Sequence, residues 1–275
     1  MPPVPSIDDC DVWIRTLQGA VIRTLVEVLK DVIFEASLII TPAMMKITTM
    51  DSSKSSLIYL KLESQSFEEY VCRQEHRLGI SMINLFKIIK MAGHKNDILT
   101  LFVKRDTPYE LGVVIENEEK RSNTVFHLSL LELDSQDIQI PEFQYKSIVT
   151  LPSAMFHRMC RDMQQLSNFV SMETYQGSLT LSCHGDFASQ STTFSPLRGD
   201  GSNDDDDRIT VTTSDGDRIT GTFSLKFLCL FGRTASLSSM VSIFIKQDHP
   251  LLLEYTIGSL GKLIFLLTPI IDQDA

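Results

Sequence analysis

The chain has 275 residues, 43% of them hydrophobic, and a formal net charge of −10. This length and hydrophobic content suffice for one large core or two moderate ones, and they exclude a chain that is disordered throughout. Taken as a whole, the acidic balance argues against a nucleic-acid partner, so the positions of the basic residues matter more than their sum.

The N-terminal segment does not resemble a secretory signal. Residues 1–11 contain prolines and three aspartates, where such a signal needs a basic start and an apolar run. The longest apolar stretch, residues 260–271, is interrupted by glycine, lysine, threonine and proline and falls short of the roughly 20 residues of a membrane-spanning helix. We therefore expect an intracellular protein without a membrane segment.

The cysteines indicate neither disulfides nor zinc, because none of them forms a C-x-x-C pair. We predict that they are reduced and mostly buried: Cys10, Cys72, Cys160, Cys183 and Cys229. The aspartate-rich run at residues 200–217 lacks the spaced ligands and terminal glutamate of an EF-hand. We expect a solvated loop there and no metal site.

Four segments have the 3.6-residue apolar period of amphipathic helices. They are residues 18–31, 82–92, 152–166 and 222–233. In the first segment, the apolar stripe consists of Val21, Ile22, Leu25, Val26 and Leu29. Each stripe predicts a helix that packs one face on a core and leaves the other face in solvent.

The polar faces of these four helices are basic, although the chain is acidic. They carry three acidic residues and eight basic ones, namely Arg23, Lys30, Lys87, Lys90, Arg158, Arg161, Lys226 and Arg233. If the helices share a surface, these side chains form a basic track that attracts phosphates without reading base sequence. The alternative is that they simply solvate exposed helix faces.

An internal repeat divides the chain into two halves. The sequence FVKRDTP at residues 102–108 recurs as FIKQDHP at residues 244–250, and each copy follows a helical segment and precedes an apolar run. We predict two similar α+β domains with antiparallel sheets, at residues 12–123 and 143–275. Residues 1–11 are then an N-terminal leader, and residues 124–142 connect the domains.

An enzyme is the alternative of a different class. Six histidines and many serines are present, but no G-x-S-x-G, P-loop, H-E-x-x-H or G-x-G-x-x-G motif organises them. No serine lies three residues before Lys54 in the run at residues 52–56, so the S-x-x-K pattern fails. We predict no catalytic residue, no cofactor and no metal.

Several short motifs, in order and at near-constant spacing, carry a family resemblance over residues 14–272. They are LQG at 17–19, LKD at 29–31, MDSS at 50–53, IPE at 140–142, Phe156 with CRD at 160–162, PLLLEY at 250–255 and LTP at 267–269. This set resembles the proliferating cell nuclear antigen family of DNA sliding clamps. The resemblance implies an α+β clamp fold and a head-to-tail homotrimeric toroid, whose helices line a hole around duplex DNA.

The resemblance also implies which residues act. The eight basic helix residues above would line the hole and contact DNA without sequence specificity. A hydrophobic pocket for a short partner peptide would comprise Met50, Leu57, Ile138, Ile140, Pro141, Tyr145, Pro250, Leu266, Leu267 and Pro269. Neighbouring subunits would pair the strand 125–131 with the strand 187–194, through Phe126, Leu128, Leu130, Phe187 and Thr192.

As implied partners we expect double-stranded DNA, two further copies of the chain, a DNA polymerase, a clamp loader and other peptide-bearing proteins, but no membrane. The expected location is the nucleus or a viral replication site. Leu266 stands where the family usually has a tyrosine, and the turn at 174–177 lacks the family's ubiquitin-accepting lysine. Such departures fit a diverged eukaryotic or viral clamp. The alternative within the fold is a subunit of a heterotrimeric checkpoint-type clamp.

Overall fold

The computed structural model describes residues 4–51, 53–92, 97–117, 121–133, 138, 143–195, 209–213 and 218–270. The chain divides into two units. Unit 1 consists of Met1–Thr49, Tyr59–Ile138 and Ile257–Lys262, and unit 2 of Met50–Ile58, Gln139–Thr256 and Leu263–Ala275.

Among the described residues, nine strands and two α-helices lie wholly or mostly in unit 1. The strands are β1 (Cys10–Thr16), β2 (Glu35–Ile40), β3 (Met44–Met50), β4 (Ser56–Glu63), β5 (Glu69–Cys72), β6 (His76–Ser81), β7 (Ile98–Lys104), β8 (Glu110–Asn117) and β9 (Ser122–Ser129). The helices are α1 (Gly19–Lys30) and α2 (Met82–Ile89). Met50 at the end of β3 and the first three residues of β4 belong to unit 2. One antiparallel sheet has the order β5-β1-β7-β8-β9, and a second row of strands has the order β4-β3-β2-β6.

Unit 2 has the same kinds of elements. Its strands are β10 (Ser147–Pro152), β11 (Phe169–Tyr175), β12 (Ser178–His184), β13 (Ser189–Phe194), β14 (Thr210–Thr213), β15 (Ile219–Ser224), β16 (Met240–Ile245), β17 (Leu251–Ile257) and β18 (Gly261–Leu267). Its helices are α3 (Ser153–Gln164) and α4 (Leu225–Gly232). The strand orders are β13-β12-β11-β15 and β14-β10-β16-β17-β18.

The second helix of each unit begins in the same way, which supports the internal repeat. The N–H of Met82, the first residue of α2, donates to the carbonyl of Phe34 at 2.9 Å. The N–H of Leu225, the first residue of α4, donates to the carbonyl of Asn168 at 2.9 Å. In both units the accepting carbonyl lies just before the strand that follows the first helix, so one backbone contact fixes where the second helix starts.

Apolar side chains from helices and strands form a separate core in each unit. In unit 1, Ile14, Leu25 and Leu60 are at most 3% exposed. In unit 2, the rings of Phe231 and Phe265 stack with centroids 4.2 Å apart, and both rings are fully buried. These cores confirm the predicted α+β class with antiparallel sheets and, within the described residues, four α-helices.

Two predicted segments differ from the structure. The predicted helix at 222–233 begins only at Leu225, because residues 222–224 pair with β11 in the sheet. The predicted loop at 200–217 contains strand β14, whose register with β10 pairs Thr213 with Ser147. Apart from β14 and residue 209, that run lies outside the described residues. In both places, pairing with a distant strand decides the local structure.

A close approach inside the five-stranded sheet gives the first testable prediction. Gly112 on β8 faces Phe102 on β7, and a Cβ at Gly112 would lie 2.0 Å from the Phe102 ring. Because Phe102 is only 1% exposed, the ring cannot move into solvent. We expect Gly112→Ala to lower the free energy of unfolding by about 1–3 kcal/mol through overpacking.

Urea denaturation at a fixed protein concentration measures this change. Ser129→Ala, on the exposed side of β9, is the control and should leave the midpoint unchanged. An unchanged midpoint for Gly112→Ala would mean that the Phe102 ring does not cover Gly112.

Candidate functional site

The basic side chains of unit 1 lie at the C-terminal ends of its two helices. Lys30 is the last residue of α1, and Lys87 and Lys90 lie in the last turn and at the C-cap of α2. Lys87 and Lys90 are exposed. Lys30 is half-buried, and its Nζ lies 2.7 Å from Asp31 Oδ1 and 4.8 Å from the centroid of the Phe86 ring. The ring thus contacts a charged group of the neighbouring helix.

Arg23 differs from the other predicted basic residues of unit 1. Its side chain is half-buried on α1, and its Nε is buried without a hydrogen-bond partner among the described residues. The 3.6-residue period placed it on the solvent face with Glu27, which is exposed. Arg23 therefore lies at the margin of the exposed face.

The helices of unit 2 form a basic groove. Arg161, Lys226 and Arg233 line it and are exposed, and the groove encloses about 330 Å³. The two helices approach closely at Gly232, where a Cβ would lie 2.8 Å from Cδ2 of His157. The fourth predicted residue, Arg158, is exposed on α3 but does not line this groove.

His157 also lines the groove, although it was not among the predicted site residues. Burial lowers the pKa of its imidazole, and the positive charges of Arg161 and Arg233 lower it further. The helical i, i+4 spacing of His157 and Arg161 is the one signal that could have suggested the pair. An anion in the groove would relieve the repulsion among these groups.

The helix macrodipole accounts for some of these positions. A cation near a helix C-terminus is stabilised by roughly 0.3–1 kcal/mol. This effect accounts for the positions of Lys30, Lys87 and Arg161, which lie in the last turns of their helices. Lys226, however, is the second residue of α4, where the dipole disfavours a positive charge. Helix stability therefore does not explain Lys226.

The predicted pocket residues lie mostly in unit 2 and differ in exposure. Leu57, Leu266 and Leu267 are at most 6% exposed and belong to the core. Met50 is 42% exposed, while Tyr145, Pro250 and Pro269 are half-buried. Ile138 is half-buried and belongs to unit 1, and Ile140 and Pro141 lie outside the described residues. We call Met50, Tyr145, Pro250 and Pro269 the docking surface.

Hydrogen bonds connect the segments that carry the docking surface. The Tyr145 hydroxyl donates to the carbonyl of Pro250 at 3.2 Å, and burial raises the pKa of Tyr145 to about 12. The backbone N–H and the hydroxyl of Thr268, next to Pro269, both donate to the carbonyl of Ser55, at 3.0 and 3.1 Å. These bonds fix the C-terminal segment against the loop that follows Met50.

A polar cleft adjoins the docking surface in unit 2. It encloses about 430 Å³, and its lining includes Pro269, Ile270 and His249. The His249 ring meets Phe143 edge to face, with centroids 5.2 Å apart. Sequence reasoning missed Phe143 and His249, because only the fold brings the two segments together.

The predicted subunit-contact residues lie on two sheet edges. β9 ends the five-stranded sheet of unit 1, and β13 ends the four-stranded sheet of unit 2. On or just after β9, Leu128 is buried and Phe126 and Leu130 are half-buried. Phe187, just before β13, is 79% exposed, and Thr192 on β13 is half-buried. Within the described residues, each edge strand has one side free for a further strand.

The part of the chain that the structure describes offers neither a metal site nor a membrane-spanning helix. It contains no group of three or more histidine, cysteine, aspartate or glutamate side chains that could hold a metal ion. None of the helices described is long and apolar enough to cross a membrane. The five cysteines are free thiols, and four of them are buried.

Comparison with known proteins gives the family. The models of the N-terminal and C-terminal domains of proliferating cell nuclear antigen match residues 13–138 and 139–270. A probable DNA polymerase sliding clamp 1 of Paramecium bursaria Chlorella virus 1 is 36% identical over 263 residues, or 94% of this chain and 97% of the viral protein.

A solved structure agrees with the sequence matches. The crystal structure of proliferating cellular nuclear antigen from Entamoeba histolytica has a TM-score of 0.84 and 25% identity, and the match covers 95% of this chain and 100% of the other. The paired α+β units therefore define a DNA-clamp fold. The chain belongs to the proliferating cell nuclear antigen family.

The groove of unit 2 gives a prediction of pH dependence. Because the pKa of His157 is lower in the folded state, protonation favours the unfolded state. The contribution of neutral His157 to the free energy of unfolding is therefore fully present above the pKa of the unfolded state, about 6.5. This contribution is lost as the pH falls from that value towards the lower pKa of the folded state. We expect His157→Gln to remove this part of the decline.

Thermal unfolding at pH 7.5 and pH 5.5 tests this expectation. His184→Gln changes an exposed histidine at the end of β12 and should behave like the unaltered protein. An equal loss of melting temperature on acidification in the His157→Gln variant and the unaltered protein would contradict it.

Proposed function

We propose that this chain is one subunit of a DNA sliding clamp, which closes as a homotrimeric ring around duplex DNA and acts as a processivity factor for a DNA polymerase. The family match over both halves of the chain supports this function. The viral relative's description as a DNA polymerase sliding clamp supports it further. In this proposal the protein is a tether and does not catalyse a reaction.

The observation that carries the proposal is the contrast between the acidic chain and its basic helices. The net charge is −10, yet the polar faces of the four helices carry eight basic and three acidic residues. Acidic surfaces elsewhere would repel DNA, while the helices would attract it. The proposed DNA contacts are Arg23, Lys30, Lys87, Lys90, Arg158, Arg161, Lys226 and Arg233.

The expected mode of contact is non-specific. Lysine and arginine side chains on helix faces neutralise phosphates, and this attraction depends on salt concentration but not on base sequence. In the unit 2 groove, Arg161, Lys226 and Arg233 surround a space where a phosphate would also relieve the repulsion on His157. A protein held in this way can move along the duplex.

Partner proteins would bind through the docking surface. Its half-buried prolines and exposed Met50 offer apolar area to a short peptide with a hydrophobic plug, whereas the predicted pocket residues Leu57, Leu266 and Leu267 are buried in the core. The partners that we propose are a DNA polymerase, a clamp loader and other proteins that carry such a peptide.

Ring closure would use the two free sheet edges. Adding β13 of one subunit to β9 of the next satisfies unpaired backbone groups on both strands. Because the two edges differ, the contact is head-to-tail and repeats around a ring. Phe126, Leu128 and Leu130 would meet the strand that carries Thr192, with Phe187 close by.

A heterotrimeric checkpoint-type clamp is not favoured, because the proliferating cell nuclear antigen models match both domains. The location that we propose is the site of DNA replication, either the nucleus or a viral replication site. No cofactor or metal is needed for a tether of this kind.

The charge pattern gives a direct test of DNA encirclement. We expect Lys87→Glu/Lys90→Glu to reduce loading on circular DNA and polymerase stimulation by at least about tenfold, since four units of charge change at the proposed phosphate contacts. The ring should still assemble, because both side chains are exposed and distant in sequence from the strand edges.

The matched control is Arg73→Glu/Lys104→Glu, which makes the same charge change in unit 1 outside the helices. Polymerase stimulation on primed circular DNA is measured at several salt concentrations. If both double variants lose polymerase stimulation equally, the loss is caused by the change in net charge and not by the position of Lys87 and Lys90. If Lys87→Glu/Lys90→Glu stimulates the polymerase as well as the unaltered protein does, the DNA-contact proposal is contradicted.

A further inference from the structure

A short loop beside the docking surface is built around one carboxylate. Asp51 follows the end of β3, and its carboxylate accepts hydrogen bonds from the backbone N–H of Ser53 at 3.0 Å and of Ser56 at 2.6 Å. The hydroxyls of Ser53 and Ser56 donate to it as well. Burial acts to raise the pKa of Asp51, but these bonds outweigh it and hold the pKa below its usual value. The carboxylate of Asp51 therefore stabilises the loop by accepting hydrogen bonds from Ser53 and Ser56.

Lys54 occupies the turn of this loop in an unfavourable backbone conformation. Its φ angle is 56°, and its N–H donates to the carbonyl of Asp51 at 3.0 Å. A left-handed conformation costs an ordinary L-residue roughly 1–2 kcal/mol, and glycine or asparagine adopts it more easily. Local stability alone would therefore not select lysine at this position.

The side chain of Lys54 is available to a partner. The residue is exposed, and within the described part of the chain its ammonium group has no hydrogen-bond or ion-pair partner. The side chain of Lys54 is therefore open to solvent on a chain whose net charge is −10.

The loop holds Lys54 at the edge of the docking surface. On one side the chain leads back to Met50, which is 42% exposed. On the other side, the carbonyl of Ser55 accepts both hydrogen bonds from Thr268, which precedes Pro269. Lys54 thus lies between two segments that carry docking-surface residues, and all of them belong to unit 2.

We propose that Lys54 determines a charge preference of the docking surface: the peptides that bind there carry an aspartate or glutamate beside their apolar residues. This inference rests on the proposed function, because it assumes that the docking surface receives a peptide. A carboxylate is the complementary partner of an exposed ammonium group. Without Lys54, the overall negative charge of the chain would disfavour such a residue.

The expected size of the effect follows from the exposure of Lys54. Exposed ion pairs are weak and screened by salt, so one matched pair should change the affinity by about fivefold at low salt. Charges at the rim of an interface act mainly on the association rate. The preference should therefore appear in that rate and fade as the salt concentration rises.

The test uses a set of synthetic fluorescent peptides that share apolar residues at i, i+3 and i+4. Glutamate, glutamine or lysine is placed in turn at each remaining position, and binding to the full-length protein is followed by fluorescence anisotropy at 50 and 300 mM salt. Binding of the all-glutamine peptide tests the docking surface itself. The difference between the glutamate and lysine peptides tests Lys54.

The variants are Lys54→Asn and Lys54→Glu. Asparagine removes the charge and tolerates the positive φ, so the loop should keep its shape and the protein its melting temperature. We expect at least one position where the unaltered protein prefers glutamate over lysine by about fivefold at 50 mM salt. The preference should disappear in Lys54→Asn and reverse in Lys54→Glu.

Two outcomes would overturn the proposal, and they are distinguishable. If the all-glutamine peptide binds but Lys54→Asn keeps the full preference for glutamate, Lys54 has no role and the docking surface stands. If no peptide in the set binds the unaltered protein, the docking surface fails together with the inference about Lys54.

Discussion

In each unit, a β-sheet of the described residues ends on a strand with one unpaired side, β9 in unit 1 and β13 in unit 2. The proposed assembly of the protein depends on these two edge strands. Among the described residues, β9 and β13 each have one side without a partner strand, and an uncovered edge invites uncontrolled association. Since the two edges are different, pairing one with the other on a second chain leaves a further pair of edges open. A closed ring is the arrangement that pairs every β9 with a β13.

The proposed ring also accounts for the basic helix faces of an acidic chain. Single basic residues at helix ends have an ordinary explanation in the helix dipole, and Lys87 and Arg161 need no other. Lys226 is different, because it lies at the end of α4 where the dipole disfavours it. Together with Arg233 it faces a groove in which His157 already resists protonation. In the proposed function, a phosphate in this groove would relieve the repulsion among these groups.

Much of the fold could be predicted from local patterns in the sequence. The 3.6-residue period located all four helices, and the repeat at residues 102–108 and 244–250 indicated two similar units. The start of α4 could not be predicted, because pairing with β11 holds residues 222–224 in a strand. Nor could β14, whose partner β10 lies more than fifty residues earlier in the chain.

Which residues form the candidate site stays a prediction, and their exposure could not be predicted from the sequence. Apolar residues near the docking surface look alike in sequence, yet Leu266 is buried and Met50 is exposed, because strand pairing decides which side faces the core. His157 and Phe143 were missed because their partners come from segments distant in the chain. Arg23 is less exposed than its helical position indicated, because the α1 backbone places its Nε in a buried environment.

The most direct test of the central claim is the solution mass of the purified protein, measured by size-exclusion chromatography with light scattering over a range of concentrations. The account predicts a species of three 31.0 kDa subunits. A stable dimer would contradict it, because two subunits joined head-to-tail leave one β9 and one β13 unpaired. A monomer that persists at every concentration would equally contradict a self-closing ring.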